Sequence, residues 1–280
     1  MIKDTSRTFF RSRFTVTMRS QGHACRIVHV SQFNAGAITL LDKDEVIDIR
    51  YGFWFEDGRK LRFRLSLDPN TMQPSRGLPK RLPDWTKIEF HRCSGCPLDA
   101  DEHPYCPTAA RLHPIVDKMR DVVSTEKVKV AVASQQRTVI RKTSVQEGLS
   151  SLMGMVMATS GCPRTGFFRP MARFHLPFAD LDETTYRAAS AYMLAQHFRA
   201  TRKQDADLSM QGLHDLYNQV TEINHKMAER LRCDEREDGA INAIVILDMF
   251  AKGLPPQFDA LLDELEALFE SFLDPIPGNA

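Results

Sequence analysis

Four cysteines limit the folding of this chain more than any other feature. Cys93 and Cys96 are separated by two residues, Cys106 follows after nine more, and Cys162 lies far downstream. If the four serve one centre, a loop near residue 100 and a turn near residue 162 must meet in space. The C-x2-C spacing lets two thiolates converge on one ion or cluster while backbone N–H groups bond to sulfur. Cys96, Cys106 and Cys162 each precede a proline. Proline favours the first helical position, and the residue before it avoids the α region. Each Cys-Pro can therefore place its cysteine at a helix N-cap, where free N–H groups favour the thiolate. The local rules support this best at Cys106 and Cys162.

Four thiolates complete either a tetrahedral Zn2+ site or an iron–sulfur cluster. Three clustered cysteines plus one remote Cys-Pro favour a [4Fe–4S] cluster, whereas zinc ribbons more often use two CxxC pairs. The competing reading is four small side chains that merely pack. Their Pro, Gly and Ser neighbours suit loops better than a core. Six cysteines in 280 residues is too sparse for a disulfide scaffold and points to metal or redox chemistry in a reducing compartment. Cys25 and Cys233 read as ordinary thiols. His91 and His103 lie close enough in sequence to replace one ligand.

Arg164, Arg169, Arg173 and His175 follow Cys162 closely. As a group they suit either compensation of a negatively charged centre or binding of an anion. A solvated basic loop is the plain alternative. Arg169, Arg173 and His175 are the candidate cofactor-binding residues, and Thr159 and Ser160 are candidate donors to cluster sulfur. Glu222 and His225 share a helix but read as a surface pair. Met153, Met155, Met157 and Met171 read as core filler. There is no P-loop, no dinucleotide fingerprint, no GxSxG and no HExxH.

The spacing of apolar residues predicts an α+β fold: an antiparallel sheet with hairpins in the N-terminal half and a helical bundle in the C-terminal half. Ile47, Ile49, Tyr51, Phe53 and Phe55 alternate with more polar positions, a strand with one buried face. Asp57-Gly58 predicts a two-residue hairpin turn into the strand Leu61–Leu67. A short strand is expected over Trp85–Phe90. A helix is expected over Pro107–Val123, broken or restarted at Pro114, then a second hairpin from Val128–Val132 and Thr138–Arg141. A helix over Val145–Thr159 should begin with a capping box at Ser144/Glu147 or Thr143/Gln146. Gly148 and Gly154 inside it predict close packing, and Gly161 a C′ position. Asp182 or a neighbour should cap the next helix, through Phe198. Further helices follow: one with the stripe Leu213 to Leu231, one over Ile241–Ala251 stopped by Gly253 and Pro255, and one over Phe258–Leu273. The organisation predicted is an extension (1–46), with strand-like patches at Phe14–Met18 and Arg26–Val30, a strand-rich portion (47–142), and a helical portion (143–280).

Composition narrows the function classes. Lys+Arg (37) nearly balances Asp+Glu (36), so no net field attracts nucleic acid. The basic stretch Arg59–Arg64 and the pair Lys80-Arg81 are local exceptions. The N-terminus lacks the apolar core of a signal peptide, and no apolar run spans a bilayer. The expectation is a cytoplasmic protein with a redox or other protein partner, open to self-association.

The segments HRCSGCPLDADEHPYCP (His91–Pro107), QEGLSSLMGMVMATSGCP (Gln146–Pro163) and RPMARFHLPFA (Arg169–Ala179) together resemble a family of uncharacterised bacterial proteins with the order CxxCPL, YCP, SGCP. The resemblance covers about Ile47 to Leu273 and maps the family's cysteines onto Cys93, Cys96, Cys106 and Cys162. It implies no activity. The expected function is a four-cysteine iron–sulfur protein acting in redox or gas sensing or electron transfer. The alternatives are a zinc-stapled interaction module and an enzyme that holds an anionic substrate near Arg169, Arg173 and His175.

Overall fold

The computed structural model describes residues 46–233 and 238–273. The strand-like patches at Phe14–Met18 and Arg26–Val30, and nearly all of the expected extension, lie outside them. Strands β1 (Ile47–Phe55), β2 (Lys60–Leu67), β3 (Lys127–Ala133) and β4 (Thr138–Ser144) form one antiparallel sheet in the order β2-β1-β3-β4. Helix α1 (Pro107–Lys118) lies between the two hairpins in sequence. Helices α2 (Val145–Thr159), α3 (Arg169–Arg173), α4 (Leu181–Thr201), α5 (Gln211–Arg232), α6 (Gly239–Glu266) and α7 (Glu270–Leu273) make up the second half. The α+β reading holds.

The alternation in β1 acts as expected: Ile47, Ile49, Tyr51, Phe53 and Phe55 are all buried. The hairpin loop is one residue longer than Asp-Gly alone suggests. The Phe55 N–H donates to the Arg59 carbonyl, closing a three-residue loop with Gly58 at φ +92°. The basic stretch beside it is partly neutralised, with Arg59 paired to Asp57 and Glu126 and Arg64 to Asp48.

Sheet and helices share one core. Phe53, Val130, Leu149, Leu152, Met153, Ile223, Leu231 and Ile244 belong to the same buried cluster. Helix α2 runs through its centre, with Leu149, Leu152 and Met153 fully buried. Gly148 is what lets α2 approach the sheet: a Cβ there would lie 2.8 Å from both Phe53 Cε1 and Val130 Cγ2. Gly154 meets Leu247 of α6 at 3.1 Å in the same sense. Close packing is therefore the role of both glycines.

Four local expectations need correction. Trp85–Phe90 is a 3-10 turn (Asp84–Thr86) followed by a single bridge, Lys87 to Tyr105, because backbone bonds there close a loop instead of extending the sheet. Neither capping box forms at α2. The N–H groups of Val145 and Gln146 donate instead to the carbonyls of Glu126 and Ser124, leaving the Thr143 and Ser144 hydroxyls buried without partners. Pro114 does not break α1, and α6 continues through Gly253 and Pro255. The missing N–H groups remove single helical bonds, which burial of Leu112, Ile115 and Val116 in α1, and of Ala251, Leu254 and Phe258 in α6, outweighs. Asp180, a neighbour of Asp182 as expected, caps α4 with Glu183 in a complete capping box. Gly161 follows α2 at φ +95° as predicted. Beyond Glu266, Leu268 and Phe272 are 72% and 83% exposed, so the apolar stripe expected there is uncovered among the described residues.

Gly148→Ala should destabilise the protein by about 1–3 kcal/mol through overpacking, despite alanine's better helix propensity. Urea unfolding measures this. Parental stability would show that Phe53 and Val130 yield at no cost.

Candidate metal centre

The chain closes a loop around Cys93 and Cys96 by backbone bonding. Ile88 N–H donates to the Pro104 carbonyl (3.0 Å) and Cys106 N–H to the Thr86 carbonyl (2.8 Å). Cys93 and Cys96 lie within this loop, joined by a turn in which Cys96 N–H donates to the Cys93 carbonyl (3.1 Å). Cys106 stands at its base as the N-cap of α1, with Pro107 at the first helical position. Cys162 is likewise the N-cap of a 3-10 turn (Pro163–Phe168). The expected Cys-Pro geometry thus forms at both sites, while Cys96-Pro97 starts no helix.

Two buried or clamped contacts bring these segments together. The hydroxyls of Thr108 and Ser160 meet at 3.0 Å, joining the start of α1 to the end of α2. Ser160 Oγ also accepts from the Cys162 N–H at 3.2 Å. On the other side, Glu222 of α5 works as a clamp. Its Oε1 accepts from the Ser94 N–H (2.7 Å) and Oγ (2.6 Å), and its Oε2 from Arg164 Nη2 (2.6 Å). The Arg164 guanidinium lies over Gly95, where a Cβ would sit 3.4 Å from Cζ. Ser94 and Gly95 fall between Cys93 and Cys96, and Arg164 is two residues past Cys162. One carboxylate therefore holds the CxxC turn against the Cys162 turn.

The four half-buried thiols act on one another through charge. Burial pushes Cys93 up to about 11, and the charges of Cys106 and Cys162 add to this while Arg164 opposes it. Burial also raises Cys162, as do Cys106 and Cys96, whereas the N–H groups of Arg164 and Thr165 favour its thiolate. Among the described residues, no three His, Cys, Asp or Glu side chains are grouped tightly enough to hold a single metal ion as they stand.

Arg230 is the most informative neighbour. It is 2% exposed, and its guanidinium donates to the carbonyls of Trp85 (2.7 Å), Lys87 (2.7 Å) and Ile88 (3.2 Å). No carboxylate among the described residues pairs with it. Burial lowers its pKa, and negative charge on Cys106, Cys93 and Cys96 acts in the opposite sense. Arg164 Nη1 is a buried donor without a hydrogen-bond partner among the described residues. Burial would raise Glu222, but the bonds from Ser94 and Arg164 outweigh it and hold its carboxyl at about 2.

The other candidates fall elsewhere. Thr159 Oγ1 donates to the Met155 carbonyl and Ser160 Oγ to that of Met157, so both hydroxyls are engaged within α2. His91 meets Glu229 (3.2 Å) and the exposed Cys233 (3.4 Å), and His103 is exposed. Arg169 packs beside Gly166 with its Nε buried and unpaired, and Arg173 lies over the Phe174 ring. His175 Nε2 bonds the Tyr51 hydroxyl at 2.5 Å, in the wall of a cavity. Of Arg164, Arg169 and Arg173, Arg164 is the one whose charge acts on Cys93. Sequence reasoning missed Arg230 altogether and assigned Glu222 to the surface. A buried arginine in an apolar helical stripe was the available signal.

Fold and site define an α+β protein whose loops gather four electrostatically coupled cysteines beside a buried cation. The chain belongs to the family described as a domain of unknown function (DUF6901), whose family model matches residues 49–270. No curated protein and no solved structure matches the chain. Among the described residues, no helix is long and apolar enough to cross a membrane.

His175 sets a pH dependence. Protein surrounds its ring on nearly all sides, although an edge faces the cavity, and burial together with the Arg187 charge lowers its pKa to about 4. An unfolded histidine titrates near 6.5, so the unfolded chain binds the proton first as pH falls. Stability should be unaffected by this group above pH 6.5 and decline by at most about 3 kcal/mol between pH 6.5 and 4. Denaturant melts across that window should show His175→Gln losing most of the slope. An unchanged slope would assign the decline to other groups.

Proposed function

We propose that Cys93, Cys96, Cys106 and Cys162 hold an iron–sulfur cluster, and that the protein works in redox or gas sensing or in electron transfer. The observation that carries this reading is Arg230. A guanidinium stays charged at any physiological pH, no carboxylate among the described residues pairs with this one, and burying such a charge unpaired costs several kcal/mol. Among the described residues, the groups whose negative charge would act on it are the sulfurs of Cys106, Cys93 and Cys96. Neutral thiols leave that charge unbalanced, whereas a thiolate-bound centre of net negative charge balances it. Burial raises the Cys93 pKa, so as a free thiol it is protonated and a poor nucleophile. This disfavours a thioredoxin-like role for the CxxC pair.

Zinc with four thiolates would satisfy Arg230 equally well. Iron–sulfur is preferred on the cysteine spacing, three clustered and one remote before proline. When bound, the cluster supplies reversible one-electron chemistry. The protein supplies the four sulfurs, the Glu222 clamp that holds their segments together, and positive charge from Arg230, Arg164 and Lys226. Lys226 is paired to Glu229 and within reach of charge on Cys93.

Anaerobic purification with metal analysis and a visible spectrum tests the reading. Four iron per chain and a brown colour are expected, and Cys93→Ala should abolish the absorbance. One zinc and no colour would overturn the iron assignment in favour of a structural staple. Absence of both metals would remove the centre.

In the iron-loaded protein, Arg230→Met should shift the reduction potential to more negative values, since removing a nearby cation disfavours the added electron. A potential equal to the parent's would show that Arg230 does not serve the centre.

A further inference from the structure

A second site lies away from the thiols. A cavity of about 640 Å³ opens among α2, α3, α4, α5 and α6, within the range of small-molecule sites. Most of its wall is apolar, including Met155, Phe168, Met171, Leu247 and Leu254. Exposed Arg141, Glu147 and Asp180 stand in its lining. Two deep polar groups interrupt the apolar wall. Asn224 is 1% exposed, and neither its amide nitrogen nor its amide oxygen has a hydrogen-bond partner among the described residues. Tyr217 is 4% exposed, and its hydroxyl is likewise unpartnered. Both side chains line the cavity and sit on α5 two turns apart, on one face.

Native proteins leave very few buried polar atoms unpaired, and three at one cavity call for a partner. The chemistry of that partner follows from the groups. Asn224 offers a donor and an acceptor on adjacent atoms, and the complement is an acceptor and a donor on adjacent atoms. The nearest cation is already engaged: Arg187 donates to the carbonyls of Met171 (2.7 Å) and Phe174 (3.2 Å). His175 is neutral near pH 7 and bonded to Tyr51. The deep end therefore presents hydrogen-bonding capacity, and the Arg187 charge beside it is opposed by the Glu183 carboxylate. We propose that this cavity binds an uncharged, largely apolar small molecule with an amide-type head, the head pairing with Asn224 and reaching the Tyr217 hydroxyl.

Calorimetric titration of the full chain with octanamide, octan-1-ol and octanoate tests the assignment, the three sharing one tail and differing in the head. Octanamide should bind about tenfold tighter than either analogue, the scale of one well-placed hydrogen bond. Tyr217→Phe, which removes a single oxygen, and Asn224→Leu should each weaken octanamide while leaving octan-1-ol binding intact. Asn224→Leu should also raise the melting temperature of the ligand-free protein, because it removes two unpaired buried atoms. Equal binding of the three compounds, tighter binding of octanoate, or a preference unchanged in both variants would overturn the assigned head. Binding of none would overturn the site, with water as the partner of Asn224 and Tyr217.

Discussion

The buried guanidinium of Arg230 is the interaction on which the arrangement of this protein turns. Its three carbonyl bonds tie helix α5 to the segment Trp85–Ile88, from which the cysteine loop departs. Two turns earlier on the same helix, Glu222 holds the tip of that loop and the Arg164 turn. Glu222, Lys226, Glu229 and Arg230 fall at helical spacings that share one face, so a single rigid element sets both ends of the site. A helix is a better support for such geometry than the loops that carry the sulfurs. Its own position is held by the buried stripe Leu213, Val220, Ile223, Met227 and Leu231.

Helix α5 therefore has three duties on three sides. One side is core. The second meets the cysteine loop with charged groups. The third carries Tyr217 and Asn224 into the cavity bounded by α2 and α6. The two polar sides differ in kind. Toward the sulfurs there is a cation that no carboxylate among the described residues pairs with, which suits an anionic centre. Toward the cavity there are neutral donors and acceptors without partners, which suit an uncharged head group. The cavity groups depart from the rule that buried polar groups are satisfied within the protein, and such departures concentrate where a molecule acts on something else.

Helix α2 links the two halves of the chain. It is buried on the sheet side, where Gly148 allows contact with Phe53 and Val130, and on the helical side, where Gly154 faces Leu247. Its C-terminal end delivers Ser160 to Thr108 and then turns at Gly161 to present Cys162. Strand-rich and helical portions share one hydrophobic core. A centre bridging Cys106 and Cys162 would thus reinforce an interface that packing already makes.

Local chemistry in the sequence determined much of this. Alternation in Ile47–Phe55 and Val128–Val132 defined strands, because a residue's face in a strand follows from its parity alone. The Gly161 terminus and the two Cys-Pro caps were legible for the same reason, since each depends on backbone preferences of a few adjacent residues. Where neighbours far along the chain compete, local rules failed. The Ser144 box yielded to carbonyls from residues 124 and 126, and Pro114 and Pro255 yielded to burial of the helices around them. Glu222 and Arg230 look alike in sequence, as charged residues on an amphipathic helix. Only the tertiary structure decided that one would clamp two cysteine turns and the other be buried beside the sulfurs, because the cost of burying a charge depends on partners that lie more than a hundred residues away.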